Sequence, residues 1–165
     1  MKILITGGLG FIGSHLAYQL RNHKITILDN FGLTYPGFNK IYRGPKVGID
    51  SISKLERYHR KLNINYRMKL IKESNAKLIR SWSYEYFDCN KYDLVLNCGS
   101  LSEAILSSFY EDFCSKSIID GIANLKTNYQ CPLLHISSSM VYGTWEGSIE
   151  ETQPTNPVDY YGKCK

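Results

Sequence analysis

Tyr161 and Lys165 are four residues apart, and a helix starting near Val158 would project both from one face. A lysine ammonium held beside a phenol stabilises the phenolate and brings the tyrosine pKa down from about 10 toward a range usable by a base. On its own the pair is a weak signal, because any exposed helix face can carry this spacing. A stronger signal is Thr6-Gly7-Gly8-Leu9-Gly10-Phe11-Ile12-Gly13, which falls between a strand pattern and a helical one. In that context Gly7 takes a tight turn, Gly10 lets backbone amides approach a pyrophosphate, and Gly13 lets helix and sheet pack closely. The first helical turn, at Phe11 and Ile12, offers amides and partial positive charge to the phosphates. Asp29 ends the next strand pattern, with Asn30 beside it. An acidic side chain there accepts hydrogen bonds from ribose hydroxyls and repels a 2′-phosphate, which favours NAD over NADP. A helix-cap or loop role is the alternative for Asp29.

The elements that must position these residues follow from periodicity. Lys2 to Thr6 reads as a buried strand, Phe11 to Leu20 as a helix through Phe11, Ile12, Leu16, Ala17 and Leu20, and Lys24 to Leu28 as a second strand. Together they form one βαβ unit of the usual size, about 30 residues. Phe31 to about Gly48 reads as an irregular insertion, and Ile49 to Leu62 as a helix. A third strand is expected between Tyr66 and Ile79, where helix and strand templates fit almost equally. Asp93 to Cys98 is a clear buried strand, a long amphipathic helix fits about Ser102 to Lys126, and Pro132 to Ser137 is the next strand. Alternation of this kind implies a Rossmann-like, doubly wound parallel sheet, with its ligand crevice beyond the carboxyl ends of the strands. Residues 1–165 are read as one domain.

Composition narrows the function classes. With 43% hydrophobic and 21% charged residues the chain belongs with folded globular proteins, not with disordered ones. No stretch approaches the roughly 20 apolar residues of a membrane-spanning helix, and the N-terminus lacks a signal peptide pattern, so a cytoplasmic protein without membrane contact is expected. The net charge of +5 is uneven: residues 38 to 80 hold 12 Lys/Arg against 3 Asp/Glu, a surplus of +9 against −4 elsewhere. These basic residues are scattered among Leu, Ile and Tyr as on solvated helix faces, and no nucleic-acid-binding signature accompanies them. The five cysteines form no CxxC pair and have no histidines at ligand spacing, so no metal is expected and reduced thiols are. His135 sits in an apolar run and reads as a packed strand residue.

Taken together, these segments resemble the extended short-chain dehydrogenase/reductase family, in its NAD-dependent sugar epimerase/dehydratase branch. The family's TGGxGFIG motif is present unaltered. Asn97-Cys98-Gly99-Ser100 is the counterpart of a His-Leu-Ala-Ala-like segment beside the cofactor, which implicates Gly99. Ser137-Ser138-Ser139-Met140-Val141-Tyr142-Gly143 is similar to a Ser-Ser-x-x-Val-Tyr-Gly strand end, and aligning on Val141-Tyr142-Gly143 makes Ser138 the match for the catalytic Ser or Thr. Tyr161-Gly162-Lys163-Cys164-Lys165 matches the family's Tyr-x-x-x-Lys pair, with Cys164 where Ser or Thr is usual. The acidic adenine-contacting segment after the third strand is not reproduced in Arg80 to Asp88.

The resemblance implies the chemistry. NAD⁺ takes hydride from a sugar carbon while Tyr161 takes the hydroxyl proton, giving a transient keto sugar; return of hydride to the opposite face inverts the centre. Ser138 would orient the substrate hydroxyl, and Lys165 would also bond the nicotinamide ribose. Dehydratases of the family place acidic residues after the catalytic Thr, whereas Ser139 and Met140 stand here, so a nucleotide-sugar epimerase is expected ahead of a dehydratase or a simple oxidoreductase. The family's members continue past Lys165 to complete the sheet and add a smaller substrate-binding domain, so the chain is expected to be a truncated form of such an enzyme, of doubtful activity alone. A non-catalytic dinucleotide-binding module and half of a split enzyme are the competing expectations. Homodimers, which pair through the long helices in this family, are a further expectation.

Overall fold

The apolar run of Lys2–Thr6 (β1) lies at the centre of a five-stranded parallel sheet. The structure is a computed structural model that describes residues 1–30, 50–82, 84–85, 87–102, 104–127 and 131–165. The irregular insertion read between Phe31 and Gly48 lies outside the described residues. After β1 the chain forms the helix Phe11–Gln19 (α1), the strand Lys24–Asp29 (β2), the helix Asp50–Glu73 (α2) and the strands Lys77–Arg80 (β3) and Leu94–Asn97 (β4). The helical stretches Ala104–Phe109 (α3), Glu111–Ser115 (α4) and Gly121–Thr127 (α5) follow, then the strand Leu133–His135 (β5) and the short helix Tyr160–Cys164 (α6).

The strand order is β3-β2-β1-β4-β5. The winding reverses between β1 and β4, so a crevice opens at the carboxyl ends of those two strands. The register sets Thr6 opposite both Leu28 and Asn97, and Asn97 opposite His135. One face of the sheet buries Ile3, Ile5, Ile27 and Leu96 with Ala17 of α1 and Ile71 of α2; the other buries Leu4, Leu28 and Val95 with Cys89, Tyr92 and Leu125. At roughly 1.5–3 kcal/mol for each fully buried aliphatic side chain, these two layers are the main source of stability.

Two expectations change. The region from Tyr66 onward is helical as far as Glu73, and the third strand occupies only Lys77–Arg80. Leu70, Ile71 and Ser74 are buried on the face that α2 turns inward, and Asn75, with φ 53°, stops the helix in a left-handed residue. The single helix expected from Ser102 to Lys126 is interrupted. Tyr110 leaves helical geometry at φ −134°, ψ 56°, and Lys116–Asp120 forms a π turn between α4 and α5. Such turns insert a residue and rotate the side chains that follow. The basic surplus falls partly on α2, where Lys69 and Lys72 are exposed and Lys69 pairs with Glu73 at 3.8 Å.

Candidate active site

The loop from β1 to α1 is drawn tight by backbone bonds. The Gly7 amide donates to the Leu28 carbonyl at 2.8 Å, and the Gly10 amide donates to the Gly7 carbonyl at 2.9 Å. Gly7 has φ 63°, and a Cβ on it would lie 2.5 Å from the Gly99 Cα, so the loops after β1 and β4 touch backbone to backbone there. Gly99 in turn donates its amide to Thr6 Oγ1 at 3.1 Å, and the Thr6 hydroxyl donates to Asn97 Oδ1 at 2.5 Å. Asn97 Nδ2 reaches His135 Nδ1 at 3.1 Å. This polar row ties the ends of β1, β4 and β5 together. His135 is thus a strand residue with a polar partner, and among the described residues no cluster of three or more possible metal ligands occurs.

Helix α1 starts at Gly10 with no side-chain cap and no acidic residue in its first turn. The side chains of Phe11 and Ile12 are 71% and 45% exposed, so what these two residues offer toward the loop is their backbone amides, which have no acceptor within the helix. Gly13 is buried in the same turn. An uncapped helix start behind a tight glycine turn suits a pyrophosphate, whose oxygens would take the place of a cap. Asp29 lies at the end of β2 with Asn30 after it, and its Oδ2 accepts the Leu9 amide at 3.0 Å. The carboxylate therefore holds the glycine loop, the loop role that its position left open.

The second half of the site is built around α6. Asp159 caps it, accepting the Gly162 amide at 2.7 Å, and the Lys165 amide donates to the Tyr161 carbonyl at 3.1 Å, so the pair does stand one helical turn apart. Tyr161 is 8% exposed and packs with Cys114 and Ile118. Ser138 caps the 3-10 turn Ser139–Tyr142 after β5, accepting the Met140 amide at 3.3 Å, and its side chain lies close enough to the Tyr161 phenol to draw that pKa down. Lys165 Nζ donates to Ser100 Oγ and to the Ile136 carbonyl, both at 2.9 Å. Ser138, Tyr161 and Lys165 thus meet at the carboxyl ends of β4 and β5.

Burial dominates the electrostatics of the pair. Burial raises the Tyr161 phenol above its usual pKa, and the nearby Ser138 side chain opposes this. The ammonium is turned toward Ser100 and Ile136, with Nζ 5.8 Å from the Tyr161 ring centre. Burial also lowers Lys165, against the pull of Cys114 and Cys98.

Burial pushes the Cys89 and Cys98 thiols up to about 11 and Cys114 up to about 12. Groups whose pKa is raised on folding stabilise the fold in full below their unfolded pKa and lose that contribution as pH rises through the folded one. Tyr161 has the same sign; Lys165, lowered, has the opposite one. The expected result is a melting temperature that falls as pH is raised from about 9 to about 11, less so in Cys89→Ala than in the unsubstituted chain. A midpoint that holds or rises over that range in a calorimetric pH series contradicts the assignment.

Sequence reasoning missed Ser100 as the acceptor for Lys165, Asp159 as the helix cap, and the way Gly143 and Gly162 seat α6. Asp159, three residues before the amide it caps, was legible as a capping pattern. Ser100 was not, because its partner is 65 residues away.

A family model for the NAD dependent epimerase/dehydratase family matches residues 3–165. Among curated proteins, the chain is 30% identical over 170 residues to a dTDP-D-glucose 4,6-dehydratase of Dictyostelium discoideum, covering 94% of this chain and 32% of that protein. It is 26% identical over 175 residues to a probable UDP-arabinose 4-epimerase of Arabidopsis thaliana, covering 99% and 37%. Among solved structures, the UDP-glucuronic acid 4-epimerase of Bacillus cereus, in complex with UDP-glucuronic acid and NAD, superposes with a TM-score of 0.67 at 25% identity, covering all of this chain and 49% of that one. The chain spans about a third of the length of these curated relatives and about half of the solved chain. With its glycine loop, parallel strand order and matched residues in agreement, the chain belongs to the NAD dependent epimerase/dehydratase family.

Proposed function

We propose that residues 1–165 form the NAD-binding domain of a nucleotide-sugar epimerase. The observation that carries this reading is the meeting of Ser138, Tyr161 and Lys165 on the same sheet edge as the uncapped start of α1. The first-turn amides of Phe11, Ile12 and Gly13, with Gly7 and Gly10 shaping the turn, hold the pyrophosphate; Asp29, with Asn30 beside it, meets the adenosine ribose; Gly99 borders the crevice; and Lys165 keeps a third N–H for the nicotinamide ribose. When bound, NAD⁺ supplies a hydride acceptor. Tyr161 takes the proton of a sugar hydroxyl that Ser138 orients. Ser139 and Met140 carry no carboxylate to eliminate water, which favours epimerisation over the dehydration that the Dictyostelium relative's name describes. Among the described residues no helix is long and apolar enough to cross a membrane, and a cytoplasmic setting is part of this reading.

Calorimetric titration with NAD⁺, followed by incubation of the chain and a supplied C-terminal segment with a nucleotide hexose, tests the proposal. Binding and an epimeric product are expected. A 4-keto-6-deoxy product would overturn the preference for epimerase, and the absence of binding would overturn the whole reading. Asp29→Asn refines the test, because the amide oxygen can still accept the Leu9 amide while the charge is gone. NAD⁺ affinity should fall about five- to ten-fold, the loss of a charge-assisted bond, and the preference over NADP⁺ should shrink with little change in stability. Unchanged discrimination between the two dinucleotides in a competition titration would leave Asp29 with the loop role alone.

A further inference from the structure

We propose that Ser100 is a positioning residue for Lys165, fixing the lysine ammonium between the ends of β4 and β5 so that its remaining N–H faces the dinucleotide. This inference rests on the function proposed above. An ammonium has three donors in a tetrahedral array. Two are used here, at 2.9 Å each, on Ser100 Oγ and the Ile136 carbonyl. With both fixed, the direction of the third is fixed as well, and the long, otherwise mobile side chain is held in one conformation.

Ser100 is itself held from both sides. Before it, the Gly99 amide is anchored on Thr6 Oγ1. After it, the Leu101 amide donates to Ser117 Oγ at 3.4 Å, while the Ser117 hydroxyl donates to the Cys114 carbonyl at 3.1 Å. Ser117 is buried within the π turn, and this turn is what brings its hydroxyl beneath the loop. The break in the long helix therefore has a use: it supports the loop whose serine aims the lysine.

The test compares Ser100→Ala and Ser100→Thr with the unsubstituted chain, each checked for folding by circular dichroism. Lysine side-chain NMR, assigned through Lys165→Met, reads the Lys165 titration with no dinucleotide present. Ser100→Ala should move that titration to lower pH, because a hydrogen bond that favours the charged form is gone, and Ser100→Thr should restore it. NAD⁺ affinity should fall roughly ten-fold in Ser100→Ala, recover in Ser100→Thr, and show no further loss when Ser100→Ala is added to Lys165→Met. An unmoved Lys165 titration, or an equal loss of affinity in the Lys165→Met background, overturns the role. If the unsubstituted chain takes up no dinucleotide, the functional reading falls with this role, whereas NAD⁺ binding beside an unmoved Lys165 sinks the role alone.

Discussion

Gly143→Ala is expected to destabilise the chain by about 3 kcal/mol or more and to take the site apart with it. Gly143 has φ 72°, ψ −144°, a region that side chains other than glycine's hardly enter, at a cost of about 1–3 kcal/mol. A Cβ there would also overlap the Asn156 carbonyl oxygen. Relieving the overlap means separating the strand-end turn from the segment that leads into α6, at a seam where the Asn156 amide donates to the Val141 carbonyl at 3.0 Å. On the same seam a Cβ on Gly162 would sit 2.5 Å from the Met140 carbonyl oxygen. Ser138 lies on one side of this seam and Tyr161 on the other, so their closeness depends on it. Gly147 provides the control: its φ is 85°, but a Cβ would meet nothing within 4 Å. Gly147→Ala should therefore cost only the conformational part, about 1 kcal/mol. Urea denaturation of the two variants separates the terms, and equal losses would show that overlap at Asn156 contributes nothing.

The strands that line the crevice were legible because each is a run of aliphatic residues bounded by turn signals, a pattern that a sheet covered on both faces produces directly. Ile3 to Ile5 and Leu94 to Leu96 are of this type, and so is the βαβ unit closed by Asp29. β3 was not legible. Lys77 to Arg80 is four residues with charge at both ends, and the helix before it carries Leu70 and Ile71 close to the strand's Leu78 and Ile79, so apolar content alone could not separate the two. The interruption of the long helix was hidden for a different reason. Its cause is the tertiary fit of Cys114, Ser117 and Ile118 beneath the loop after β4, and amphipathic periodicity is nearly the same with one residue inserted.

In the site, residues that act through the backbone or through local spacing were visible: the glycine turn, and the pair on α6. Relations between segments were not. The spacing of Tyr161 and Lys165 suggested an ammonium acting on a phenol, yet at this separation the lysine has a choice of partners, and the choice is made by Ser100 and the Ile136 carbonyl, far away in sequence. Asp29 illustrates the converse: its place at the end of a strand was correctly read, while its bond to the Leu9 amide depends on how the loop folds back.

Tyr161→Phe has the largest expected effect on chemistry. The substitution removes one oxygen from a side chain whose ring packs against Cys114 and Ile118, so the packing that holds α6 is retained. Lys165 keeps both of its partners, because neither is the phenol. NAD⁺ affinity should therefore stay within about two-fold, while sugar turnover, assayed with a supplied C-terminal segment, should fall by about 10²- to 10⁴-fold, the usual worth of a positioned acid or base. The pH profile makes the assignment specific. With burial raising the phenol's pKa, the base form is scarce near neutrality, and the unsubstituted rate should climb toward alkaline pH. That climb should vanish in Tyr161→Phe. In Ser138→Ala it should move to higher pH, since the neighbouring hydroxyl that lowers the phenol's pKa is lost. A rate in Tyr161→Phe that still rises with pH would mean that another group takes the proton, and the pairing of phenol and serine at the end of β5 would then be an element of packing alone.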